Sequence, residues 1–274
     1  MHTSLLAPVV SATCLPSACE VVAASTVADL DAAARIRGAV YAEAMALPPS
    51  LLPAGREITG HDLLDTTTVF VARLRGDVAG TLRMALRNEG LASRSAGALG
   101  LPLEDDARFH DGPADWVPAE LGRAAVPHAY RGTEVIGRLY AAAYRAAREA
   151  GVTHWLGFSL TETDSSDDAA AIAMMLAQRG RVAALPRLRP RDPVPAPALP
   201  RRSFYTADQR RRIESGDLDG IDLPHAVAFH LATGCQVIGA PVFDAVFGEF
   251  MIPLMLPLDV FRATRFGTRW CGRG

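Results

Sequence analysis

The stretch HAYRGTEVIGRLYAAAYRAAREAG, residues 128–151, contains an Arg131-Gly132 turn that runs into an alanine-rich helix. At such a junction backbone N–H groups converge and the helix dipole adds positive potential, so a turn of this kind can hold a phosphate. The neighbouring residues argue otherwise. Glu134 and Ile136 stand where a phosphate cradle wants glycine. A carboxylate about 4 Å from a phosphate costs on the order of 4 kcal/mol per charge pair near a protein surface. Glu134 also suits a helix for its own sake: Thr133 is a good N-cap, and an acidic side chain in the first turn meets the dipole favourably. From the residues alone both alternatives stay open. Elsewhere, Asp62 and Asp65 in GHDLLD form a paired acidic site that suits an ammonium group, or are plain surface aspartates. Arg83 in GTLRMA can bind a carboxylate or pair with Asp62 or Asp65, whereas Arg35 and Arg37 read as solvent-facing helix arginines.

These residues need elements to hold them. CEVVAAS reads as a first strand and residues 29–47 as a helix that Asp29 can cap. Residues 66–88 read as a hairpin joined at Arg75-Gly76-Asp77. After a connection over 90–115, residues 116–126 predict a strand, about 133–150 a helix, and 152–160 a buried strand. Residues 161–222 break the rhythm with an acidic run, a short apolar helix and a proline-rich stretch. From Arg179 to Arg212 there are ten arginines (179, 181, 187, 189, 191, 201, 202, 210, 211 and 212) against two aspartates. DLPHAVAFHLATG then predicts a helix, and CQVIGAPVFD and EFMIPLMLPLDVF two closing strands.

The 274 residues, 49% hydrophobic and 21% charged, are enough for a folded domain with a sizeable core. A net charge of −2 gives no global pull toward nucleic acid or anionic membrane. All 28 basic residues are arginine, as a coding bias would produce. Cys14, Cys19, Cys235 and Cys271 are too scattered for a disulfide framework or a zinc site, and no metal is expected. The first residues lack a basic n-region, and no apolar run reaches the roughly 18 residues of a span, so a cytoplasmic protein without an integral membrane segment is expected.

The order strand–helix–hairpin–strand–(Arg-Gly turn)–helix–strand–helix–strand–strand, with ELGRAAVPHAYRG and HAVAFHLATGCQVIGAPV in their places, resembles the GNAT superfamily of N-acyltransferases over roughly 19–160 and 222–260. Four stretches resemble, more narrowly, the N-acyl amino acid synthases and acyl-homoserine lactone (autoinducer) synthases: RIRGAVYAEAM, GHDLLDTTTVFVAR, VAGTLRMA and ELGR. The resemblance implies an α/β (α+β) GNAT-like fold, a mixed central sheet flanked by helices. It would form a single domain over 19–260 with an inserted Arg/Pro-rich flap at 161–222, a flexible 1–18 and a tail at 261–274.

It also implies transfer of an acyl group from a pantetheine thioester to an amine, which needs a base, an oxyanion donor and an acid for the thiolate. Glu120 would be the base, or a partner of Arg123 across a strand bulge. His230 stands where the superfamily places its tyrosine acid. Val126, Arg131, Gly132 and Thr133 would hold the donor, with an oxyanion donor near Ala124–Val126. Asp62, Asp65, Arg83 and Arg123 would hold the acceptor. Met174, Met175, Phe229, Phe243, Phe247, Phe250 and Met251 could line an acyl tunnel, or for the most part are ordinary core.

No tightly bound cofactor is expected; the donor is an acyl-phosphopantetheine thioester on acyl carrier protein or coenzyme A. The reduced cradle favours carrier protein, docked on Arg123, Arg131, Arg138 and the arginine-rich insertion. The other partner is a small-molecule amine, with no nucleic acid. A first tryptophan as late as Trp116 departs from the autoinducer synthases and disfavours homoserine lactone. A conventional acetyl-coenzyme-A acetyltransferase of small amines, a non-catalytic acyl-thioester-binding module, and a partner-docking role for 161–222 are the alternatives.

Overall fold

The unbroken apolar run Val69–Ala72 and the mostly apolar VAGTLRMA require a strand pair covered on both faces, and the structure supplies both covers. It is a computed structural model that describes residues 18–45, 52–88, 116–184 and 195–272, with Ser50, Gly90, Leu99 and Leu101. Strands β1 (Cys19–Ala23), β2 (Thr67–Leu74), β3 (Asp77–Ala85), β4 (Pro118–Ala125) and β5 (His154–Leu160) lie side by side in chain order. Then come β8 (Glu249–Pro257) and β6 (Gln236–Val237), while β7 (Val242–Asp244) also pairs β8. The β4–β5 ladder is parallel and the others are antiparallel. Arg75 and Gly76, at φ 56° and 93°, close the β2–β3 hairpin in the left-handed geometry that tight hairpins favour.

Helix α1 (Val27–Met45) covers one face, where Ala33 meets Val69 and Val71. Its cap is Thr26 rather than Asp29: the Thr26 hydroxyl accepts from Asp29 N at 3.1 Å and donates to the Asp29 carboxylate at 2.8 Å. Helix α2 (Val135–Glu149) covers the other face with Val135, Leu139, Ala143 and Ala147, spaced at successive turns, against Phe70, Ala72, Leu82 and Met84.

Much of 161–222, expected as an inserted flap, is packed where it is described, although residues 195–201 are largely exposed. Helix α3 (Ser166–Gln178) buries Ile172, Met175 and Leu176, and Tyr205, Ile213 and Ile221 join the same core as α2. Asp164 accepts from the backbone N–H of Arg201 and Arg202, and Asp168 from Phe204 N, Ser203 Oγ and Arg210. Two buried carboxylates therefore seat the returning chain, which continues into α4 (Ala207–Glu214). Arg187, Arg189 and Arg191 lie outside the described residues, as does most of 1–18.

Helix α5 (His225–Ala232) follows, and β8 leads into α6 (Leu258–Ala263) and α7 (Arg265–Trp270). The expected tail is thus mostly helical. The partly buried Trp270 packs at a tilt against Tyr140 and Phe266 at centroid distances of 5.4 and 4.9 Å, fastening this end of the chain to the core. No helix among the described residues is long and apolar enough to cross a membrane.

Candidate functional site

On the α1 face of the sheet, where apolar packing would be expected, a row of charged side chains is buried. Glu120 on β4 faces Arg83 on β3 and takes two parallel hydrogen bonds from it, each of 3.2 Å. Arg83 also donates to Thr59 Oγ1 at 3.2 Å and lies 3.8 Å from Asp62. Asp62 accepts from Arg37 at 2.8 Å and from Thr59 N at 2.7 Å. Arg37 Nε lies 3.0 Å from Glu57, an ion contact without hydrogen-bond alignment, and Glu57 reaches Arg123 at 3.0 Å. The row reads Glu120, Arg83, Asp62, Arg37, Glu57, Arg123, alternating in sign, with Arg37 only 1% and Asp62 4% exposed.

Local structure explains each position. Thr59 and Asp62 form a reciprocal cap on the turn Gly60–Leu63, which turns the Asp62 carboxylate inward. Glu57 N bonds to Ala34 O at 2.9 Å, so the loop is stitched to α1 beside Arg37. One extra residue in β4 opposite Thr81–Arg83 puts Arg123 at φ 55°, a left-handed conformation that costs energy in an arginine and turns it toward Glu57. Burial acts to raise the Asp62 pKa, but the Arg37 hydrogen bond and charge leave it lowered. Burial opposes the charge of Arg83, but Glu120 outweighs it and the pKa is raised.

The expected site residues separate. Asp62, Arg83, Glu120 and Arg123 come together. Asp65 is exposed in the turn before β2, so the acidic pair does not form, and the second carboxylate beside Asp62 is Glu57. Arg123 pairs with Glu57, not with Glu120, whose partner is Arg83. Sequence reasoning missed Glu57 and misassigned Arg37, which is buried; Arg35 alone behaves as expected, exposed and paired with Asp31. His61, on the same turn as Asp62, was also missed. Its Nε2 is enclosed and has no hydrogen-bond partner. Burial, then the Arg83 charge, lowers its pKa from the ordinary 6.5.

Beyond the row lies an apolar cleft. The parallel pairing of β4 and β5 ends at Glu120 opposite Leu156, and the strands diverge. Leu121, Leu156, Gly157, Phe158, Leu254 and Leu256 line a cleft of about 330 Å³ including its open mouth, with Trp155, His230 and Cys235 also on its wall. Of the phenylalanines and methionines weighed as tunnel or core, Met175 and Phe229 are core, and Phe243 meets Phe250 edge-on. At the cleft's base the Leu121 carbonyl approaches Gly157 so closely that a Cβ there would lie 2.5 Å from the oxygen. Gly157→Ala is therefore expected to cost about 1–3 kcal/mol in a thermal melt and to raise KM for any ligand of the cleft.

His230 Nδ1 lies 3.0 Å from Ser159 Oγ, and burial pushes its pKa down to about 4. At neutral pH it is uncharged, which suits hydrogen bonding but supplies no acidic proton. The Arg-Gly turn is occupied with itself. Arg131 donates to Val126 O at 3.2 Å, the Thr133 hydroxyl donates to Tyr130 O at 2.6 Å, and Gly132 takes φ 78°. Helix α2 starts at Val135, with Glu134 rather than Thr133 at its N-cap. Glu134 pairs with Arg138 at 3.0 Å on the exposed side.

Residues 32–158 match the family model described as N-acyl amino acid synthase FeeM. That stretch holds the whole charged row and His61. The sequence matches none of the curated proteins. Among solved structures the chain is similar to FeeM, an N-acyl amino acid synthase from uncultured soil microbes, at 14% identity and TM-score 0.50, covering 90% of this chain and 94% of that one. It is similar to the CoA-dependent acyl-homoserine lactone synthase BjaI at 15% identity and TM-score 0.44, covering 88% and 82%. A putative N-acetyltransferase from Lactobacillus plantarum follows at 16% identity and TM-score 0.43, covering 88% and 98%. The fold is GNAT-like, and the chain is an acyltransferase that resembles the N-acyl amino acid synthases.

Proposed function

We propose that this acyltransferase moves a medium or long acyl chain from a pantetheine thioester to the amine of an amino acid or a related small molecule. One observation carries the reading: Glu120 is both the last residue of β4 paired to β5 and the end of the charged row, so the apolar cleft and the ionic surface meet there. An acyl thioester suits the first and a zwitterion the second. The acceptor ammonium faces Glu120 and Asp62, and its carboxylate faces Arg123 and Arg83. Such positioning turns a bimolecular attack into an effectively unimolecular one. Ser159 and neutral His230, on the cleft side, offer hydrogen bonds toward the sulfur.

Carrier protein is the preferred donor. The support is the turn at Val126–Thr133, whose polar groups bond one another, and the Glu134 carboxylate beside it. Arg123 and Arg138 are paired with Glu57 and Glu134, so Arg131 and the arginine-rich segment carry more of the docking than either of those two.

The test offers one acyl chain on carrier protein and on coenzyme A, with an amino acid pool, and reads thiol release together with products by mass spectrometry. Release from the carrier form with an N-acyl amino acid supports the reading. Preference for coenzyme A overturns the donor assignment, and binding without thiol release overturns the activity.

A further inference from the structure

The cleft between β4 and β5 is lined mostly by carbon, from Leu121, Leu156, Phe158, Leu254 and Leu256. Four side chains with polar atoms interrupt that lining, and three of them have partners or are shut in. His230 has Ser159 Oγ 3.0 Å from its Nδ1 and the Ala226 backbone as a second partner. Cys235 Sγ lies 3.6 Å from Thr233 Oγ1. Trp155 Nε1 is enclosed by protein, so its N–H is turned away from the open space. Tyr140 differs. Its hydroxyl has no hydrogen-bond partner among the described residues, yet it is not one of the enclosed atoms. The side chain is only 5% exposed and stands on the cleft wall, so what remains open of it opens on the cleft. The hydroxyl also feels the charge of the Cys235 thiol, which stands on the same wall.

The ring fixes where that oxygen points. Tyr140 is wedged among Trp270, Phe261, Trp155 and Phe229, at centroid distances of 5.4, 6.0, 6.2 and 6.3 Å. A ring packed on so many sides cannot swing its hydroxyl to another partner. Burial raises its pKa, so the oxygen keeps its proton and stays a donor at neutral pH. Covering such a donor with a hydrocarbon chain strips its water and returns nothing, whereas an oxygen on the chain restores the hydrogen bond. We infer that Tyr140 selects the acyl chain: the preferred donor carries a hydroxyl or keto oxygen along the chain, which accepts a hydrogen bond from the Tyr140 hydroxyl. A plain hydrocarbon chain of the same length is the poorer substrate. The inference rests on the acyl-transfer reading, which seats the chain in this cleft.

The test is calorimetric titration without any amine, so that binding is read apart from turnover. The probes are dodecanoyl thioesters of N-acetylcysteamine with a hydroxyl on the third or fifth carbon, a keto group on the third, or no chain oxygen. The wild type is expected to bind at least one oxygenated chain about 10-fold or more tighter than the plain one, the scale of a hydrogen bond restored to a buried donor. Comparison of the hydroxyl and keto chains tells which oxygen is read. Tyr140→Phe keeps the ring and its packing and removes only the oxygen, so there the ratio of the two affinities is expected to fall to about one. The same ratio is then read in kcat/KM with an amino acid pool as acceptor. Equal binding of all four chains by the wild type, or a preference that survives Tyr140→Phe, overturns the inference; N-acyl product formed alongside leaves acyl transfer standing. A preference lost in Tyr140→Phe, with no N-acyl product from any chain, supports the oxygen contact and sinks the transfer reading.

Discussion

Arg37→Met is expected to lower the urea midpoint by the equivalent of about 3–5 kcal/mol, the usual cost of removing one partner from a buried ion pair. Methionine matches the length and apolar stem of arginine, so packing on α1 changes little. The charge is what is lost. Asp62 and Glu57, which flank Arg37 at 2.8 and 3.0 Å, would be left near one another in a desolvated place. The pH dependence separates this cause from a packing defect. The Asp62 pKa is lowered in the folded protein, so its stabilising contribution is present above the unfolded carboxylate value of about 3.9 and is lost as pH falls through the folded one. The variant lacks that contribution, and the gap between the two proteins narrows as pH falls below about 4, through the lowered Asp62 value. Removing Asp62 charge as well, in Arg37→Met with Asp62→Asn, is expected to restore part of the loss. A gap independent of pH would mean that Arg37 matters for its shape.

Glu120→Gln is expected to reduce kcat/KM at least about 100-fold, or roughly 2.7 kcal/mol of transition-state stabilisation, while the thermal midpoint falls only a few degrees. The amide keeps the size of the carboxylate and one acceptor for Arg83. It removes the negative charge at the point where the ionic row meets the cleft. Arg83 then has Asp62, at 3.8 Å, as its nearest remaining counter-charge, and the acceptor ammonium would meet an uncompensated guanidinium. Thiol release measured on both proteins at saturating thioester decides it. Unchanged turnover would place the ammonium elsewhere.

What could be read in the sequence was local and periodic. The Arg75-Gly76 turn, the apolar, β-rich runs on either side of it, and the four-residue spacing of α2 each follow from a few neighbouring residues. The order of elements carried the fold. Asp62 and Arg83 were legible as candidates because charge in an otherwise apolar strand, or just before one, stands out; Glu120 was legible through the likeness of ELGR to the family's fourth strand. Arg37 was not, because a helix arginine has no local feature that tells a buried one from an exposed one; its fate was decided by Glu57, a loop away. His61 depended on which ring nitrogen is enclosed, and enclosure exists only after folding. Arg123 was found but given the wrong partner, since one extra residue in β4 rotates every side chain beyond it. The acyl-chain residues were sought among phenylalanine and methionine, whereas leucines of β4, β5 and β8 line the cleft because the divergence of β4 and β5 leaves those strands facing empty space.

The hairpin joining β7 to β8 carries Phe247, whose ring meets Tyr41 on α1 edge-on at 5.6 Å and lies 5.3 Å from the Arg123 guanidinium on β4. Strand β8 belongs to the β5 side of the cleft, so this ring ties the two diverging walls together past the end of their pairing. Moving the walls apart means breaking an aromatic contact and a cation–π contact at once. Moving them together is stopped where the Leu121 carbonyl already rests on Gly157. The opening therefore has a set gauge, limited from both directions. A slot of fixed gauge is expected to sort its guests by thickness, favouring a straight chain over a branched or ring-bearing one.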